Sequence, residues 1–169
     1  MLIQFRNLPV MTLLAQIHVG MGLTALTSGA VVFFNVKGTK FHRILGYTYV
    51  ISMVLLNATA LMIYRLFGHF GPFHVLAVLS LLSVLAGFLP AYRKKPRKWV
   101  QTHFRWMCGS YVGLAAATAS EIIVRVPPAG FIQTRQQFFG LIIAASCAIG
   151  IIGTYLIRRY ARAFPAARR

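Results

Sequence analysis

Five stretches of this chain are each long enough to cross a lipid bilayer and nearly free of charge. A membrane-spanning helix needs about 20 mostly apolar residues, because the hydrocarbon core is about 30 Å thick and a helix rises about 1.5 Å per residue. The stretches run from Leu13 to Val36, Ile44 to Leu66, Phe73 to Ala91, Phe104 to Val124 and Phe138 to Ile157. Within lipid, backbone groups must be satisfied internally, which leaves helices and closed barrels as the only spanning structures. The expected fold is therefore all-α. It is a polytopic membrane protein of five transmembrane helices, with residues 1–169 forming a single integral membrane domain.

Charge fixes the class and the orientation. Lys plus Arg number 18 against a single acidic residue, a formal net charge of +17, yet charged residues are only 11% of the chain and hydrophobic ones 58%. A soluble domain is about a quarter charged and mixes both signs, so an ordinary soluble enzyme is excluded. The apolar content argues equally against disorder. A nucleic-acid partner is not expected, since such a binder would not combine this charge with a mean hydropathy of +0.69.

Fourteen of the bases fall in three segments: Lys37, Lys40 and Arg43; Arg93, Lys94, Lys95, Arg97, Lys98 and Arg105; and Arg158, Arg159, Arg162, Arg168 and Arg169. Only Arg6, Arg65, Arg125 and Arg135 fall on the other side. Short basic loops resist translocation, so the N-terminus is predicted outside and the C-terminus in the cytoplasm, with the bases facing anionic headgroups. The lone Arg6, a long first span and no small-residue cleavage site predict a retained helix rather than a cleaved signal. Cys108 and Cys147 lack partners at metal-ligand spacing and read as packing residues.

The first four spans repeat one helical hairpin. Ile17-His18-Val19 opens the first span and Phe73-His74-Val75 the third. His42-Arg43-Ile44-Leu45-Gly46-Tyr47 opens the second, and His103-Phe104-Arg105 opens the fourth. Residues 13–125 are thus expected to form a four-helix core from two parallel-related hairpins, with 138–157 as an additional helix. The repeat sorts the histidines into two layers about 20–25 Å apart, by helix rise and allowing for tilt. His18 and His74 lie in the outer layer, His42 and His103 in the inner. Glu121 follows His103 by five helical turns, and so shares its face in the outer layer with Arg125 one turn on. A carboxylate at such a depth is a functional candidate by default. His69 falls in the loop Gly68-His69-Phe70-Gly71-Pro72 and reads as a loop residue.

Three chemistries fit. Haem held between two imidazoles needs facing histidines at equal depth, small residues nearby and bases for the propionates. Gly20, Gly22, Ala25, Gly29, Gly46 and Gly109 supply the small residues, and Arg43 and Arg105 the bases. Alternatively, His18, His74 and Glu121 would hold Zn²⁺ with water in the fourth position. In the third reading the histidines are interfacial anchors without a cofactor.

Four spans with two histidines per layer resemble the di-haem transmembrane cytochromes b. That resemblance implies two b-type haems, one between His18 and His74 and one between His42 and His103, passing electrons across the membrane to or from a quinone or protein partner, with oligomerisation open. A second resemblance rests on His18 with Gly22, His42-Arg43 with Gly46 and Tyr49, and His103 with Trp106-Met107 and Ser110-Tyr111. Over Ile17 to Arg125 this pattern resembles a bacterial family of membrane proteins known as domain of unknown function 2306. It implies a multi-span protein of the bacterial inner membrane, supplies no activity, and matches the family's arginine near the end of span four to Arg125.

Overall fold

A helix leaves its first N–H and last C=O groups unpaired, and at four helix ends here side chains take up those groups. The computed structural model describes residues 13–64, 68–95, 97–125 and 134–163. They form α1 (Leu13–Phe34), α2 (Lys40–Met62), α3 (Pro72–Arg93), α4 (Trp99–Arg125) and α5 (Arg135–Ala163), with no strand among the described residues. At the end of α1, Lys37 folds back so that Nζ donates to the carbonyls of Val32 at 2.6 Å, Phe33 at 2.8 Å and Asn35 at 2.9 Å. This places a cation on the negative end of the helix dipole. Thr39 is extended, and its Oγ1 accepts from the His42 backbone N–H at 3.1 Å, capping α2. The five residues between the two helices make them an antiparallel hairpin.

Gly71 and Pro72 start α3, where a proline costs nothing because that N–H has no helical partner. The helix ends at Lys94, in the left-handed region with φ 52°. In the connection to α5, Thr134 Oγ1 accepts from the Gln137 N–H while Gln137 Oε1 accepts from the Thr134 N–H, both at 3.1 Å. That reciprocal pair is a capping box. At their N-terminal ends α2, α3, α4 and α5 begin before the apolar stretches, whereas α1 stops short of Val36 and α2 short of Leu66.

Four helical segments among the described residues are long and apolar enough to cross a membrane: α1, α2, α3 and Gln136–Arg159 of α5. The fifth expected span falls on α4 and is not among these four. Its 27 residues suffice in length to cross. Large apolar side chains point outward on all of the apolar helices, among them Leu23, Ile44, Leu79 and Ile151. Such faces suit lipid rather than water.

The chain divides into two compact units, one from Arg6 to Met107 and one containing Cys108 onward, so the boundary falls inside α4. In the first, α1 lies on α2 and α2 on α3. Small residues Ala25, Ser28 and Gly29 are the buried face of α1, and Met53 of α2 is fully enclosed. Close approach through small residues is how helices associate where lipid removes the hydrophobic drive. A side-chain hydrogen bond from Asn57 Nδ2 to Ser80 Oγ at 3.2 Å ties α2 to α3. In the second unit, Gly153 of α5 sits directly against Val112 of α4, and the Ser120 and Ser146 hydroxyls lie 3.3 Å apart.

Candidate functional site: the histidines

All four histidines of the repeat fall in the first unit, and their hydrogen bonds separate them into two kinds. His103 and His42 approach one another, with ring centroids 6.4 Å apart and planes at 82°. His103 Nδ1 lies 2.9 Å from the Gly87 carbonyl. A carbonyl only accepts, so the proton is on Nδ1 and the lone pair on Nε2. His42 offers Nδ1, which is buried and has no hydrogen-bond partner.

The local sequence explains how His103 is held. Pro90 lies inside α3 and has no N–H, so the Ala86 carbonyl four residues back loses its helical donor. One turn earlier, Gly87 is fully packed against Met107: a Cβ built there would meet Met107 Sδ at 2.8 Å and its backbone N at 3.1 Å. Only glycine allows α3 and α4 to close to the distance at which His103 reaches a main-chain carbonyl. Neither Gly87 nor Pro90 was among the candidate residues. A proline within an apolar span was the available signal.

The other pair is arranged differently. His18 Nδ1 lies 3.1 Å from Thr59 Oγ1, whose hydroxyl already donates to the carbonyls of Leu55 and Leu56 at 2.9 Å. The imidazole is therefore the donor, linking α1 to α2. His74 is only 3% exposed and lies between Tyr64 and Phe70, with ring centroids at 4.5 and 5.0 Å. Its Nδ1 accepts the Gly71 backbone N–H at 3.1 Å. The proton must then sit on Nε2, which is buried without a partner. A nitrogen that carries a proton cannot donate its lone pair to a metal, so His74 serves as the cap of α3.

Among the described residues, no group of three histidine, cysteine or acidic side chains is placed to hold a metal ion. Of the zinc set expected from His18, His74 and Glu121, the two histidines lie in the first unit, each with its Nδ1 in a hydrogen bond, and Glu121 lies in the second. Glu121 is half-buried in the second unit, and the Arg125 side chain and the loop 126–131 lie outside the described residues. Arg43 and Arg105 are both exposed. Two residues past His103, Arg105 projects about 200° around the helix, away from the imidazole pair. His69 is an exposed loop residue whose Nδ1 lies 3.0 Å from the Phe70 carbonyl. Neither cysteine is in a disulfide; Cys108 is buried and Cys147 exposed.

Apolar helices, capped at basic ends and opening their large side chains outward, describe a membrane protein, and one family description matches residues 15–160: predicted membrane protein, DUF2306. The chain belongs to this family. The match takes in all four histidines of the repeat and most of α5. No curated protein and no solved structure matches the chain. Within the family, this member is a multi-pass membrane protein whose histidines split into a helix-capping ring, a helix-linking ring and an apposed pair.

Proposed function

We propose that this protein is a b-type haem protein of the bacterial inner membrane, with a single bis-histidine site formed by His42 and His103, and that it works in electron transfer. The observation that carries the proposal is the spacing of the two rings. A metal held by one nitrogen of each imidazole, with bonds of about 2.0–2.1 Å, puts the ring centroids about 6.3 Å apart, close to the 6.4 Å observed. Support comes from the hydrogen bond of His103 Nδ1 to Gly87, the outer-shell contact that orients ligating histidines and fixes their tautomer. His42 Nδ1, buried with no hydrogen-bond partner, is not committed to another contact, whereas the orphaned nitrogen of His74 belongs to a ring already engaged in the α3 cap. Gly46, one turn from His42, faces open space, which leaves room on α2 for a flat macrocycle. The haem would supply one-electron redox chemistry; the chain supplies axial imidazoles, orientation and shielding from water.

The outer pair does not join this reading. His74 is committed to the α3 cap, so the two-haem arrangement reduces to one, and the propionate role falls to Arg43 rather than Arg105. Five spans, with the N-terminus outside, belong to the same proposal. The basic α3–α4 connection and the basic end of α5 lie on one side only if α4 crosses, and a 27-residue helix spans about 40 Å.

Protein purified from a haem-replete host is expected to contain one haem per chain, with a Soret band that shifts and sharpens on dithionite reduction. His42→Ala and His103→Ala should each abolish the band, while His18→Ala and His74→Ala should retain it. A colourless wild-type preparation would overturn the proposal, and so would loss of haem in the His74 variant without unfolding.

A further inference from the structure

The bases at one end of the first unit have almost nothing inside the chain to neutralise them. Glu121 is the single acidic side chain among 169 residues, so side-chain carboxylates can neutralise at most one of the 18 basic charges. Lys37 is occupied with the carbonyls at the end of α1. Lys40 and Arg43 on the first turn of α2, Arg93 and Lys94 at the end of α3, and Lys95, Arg97 and Lys98 in the connection to α4 are all exposed. His42 lies on that same first turn of α2, and His103 one turn into α4. A cationic rim therefore borders the imidazole pair.

We propose that this rim docks a soluble, acidic one-electron donor protein; the inference rests on the bis-histidine reading above. One electron would leave the cofactor of the donor, which is oxidised, and reduce a haem held by His42 and His103; no bond would form or break. Position favours a soluble protein over the bilayer as the anion. Tyr92, which is 67% exposed and stacks on Phe88, and the half-exposed Trp99 bracket the run Arg93–Lys98. Tyrosine and tryptophan settle at the level of the headgroups, so the bases between them stand on the aqueous side of that belt. Lys94, left-handed at φ 52°, turns the chain there. A one-sign surface beside a redox site raises association rates by about 10–1000-fold and does so only at low salt.

The test uses the full-length protein in nanodiscs of zwitterionic phosphatidylcholine, with photoreduced flavodoxin as the acidic probe. The second-order rate of haem reduction should fall at least tenfold as ionic strength rises from about 0.02 to 0.3 M, where screening shortens the reach of charge to a few ångströms. A Lys94→Gln/Lys95→Gln/Arg97→Gln variant should lose about tenfold at low salt while keeping its spectrum and its rate with a small neutral reductant. Titration binding of oxidised flavodoxin to wild type and variant needs no haem, and should weaken by a similar factor. Rates and affinities that ignore salt and the triple substitution would overturn the docking proposal while leaving the haem reading intact. A variant that loses only its affinity for phosphatidylglycerol vesicles would overturn it in favour of a lipid-facing role. Colourless protein would instead strike at the haem reading, and the titration would still decide docking.

Discussion

At the scale of single residues, each imidazole is defined by what its Nδ1 does. In His103 that nitrogen donates to Gly87, and in His74 it accepts from Gly71; the two rings therefore present opposite Nε2 atoms. His74→Ala removes a cap and the filling between Tyr64 and Phe70, and is expected to cost about 2–4 kcal/mol of stability, as caps and enclosed rings do. Thermal unfolding in detergent would read this, with haem content unchanged after refolding. Gly87→Ala should act on the ligand rather than the fold. The new methyl pushes Met107 and α4 away and stretches the bond to His103, so haem affinity should fall about 10–100-fold, the usual cost of losing an outer-shell contact. Haem titration of the apoprotein measures it, and Met107→Ala in the same chain should restore part of the loss. An unchanged affinity in Gly87→Ala would show that the carbonyl contact does not position the ring.

Among the helices, caps and small-residue contacts do what hydrophobic burial does in a soluble protein. Thr39 is the clearest case, because its hydroxyl both starts α2 and fixes the turn that carries His42. Thr39→Ala is expected to lose about 1 kcal/mol, read as a lower melting temperature, and Thr39→Ser should recover most of it. At the other end of the chain, Gly153→Leu would drive a side chain into Val112, whose methyls lie 2.5–2.6 Å from a Cβ at that position. Separation of α4 from α5 should follow, seen as faster proteolysis of the connection between them. Helix boundaries were less legible in the sequence than helix existence. Apolar stretches mark where lipid is tolerated, whereas Lys37, Thr39 and Thr134 decide where backbone groups find partners.

For the whole molecule, the charge asymmetry makes a sharp prediction about topology. In a cysteine-free background made by Cys108→Ser and Cys147→Ser, a cysteine placed at His69 should react with an impermeant thiol reagent from outside intact cells. One placed at Lys95 should react only after the membrane is opened, and a C-terminal reporter should be active in the cytoplasm. Labelling of His69→Cys and Lys95→Cys from the same side would contradict alternation of α3, and an external C-terminus would mean that α4 does not cross. The sequence by itself determined that the chain is helical, membrane-embedded and biased in charge, because those properties follow from local chemistry: apolar length, backbone satisfaction and the resistance of bases to translocation. It also brought out four repeated histidines as the residues to watch. Only the tertiary structure decided which of them face each other. A tautomer depends on a neighbour far along the chain, such as Gly87 for His103 or Thr59 for His18, and no spacing rule reports which carbonyl or hydroxyl a packed helix will bring within 3 Å.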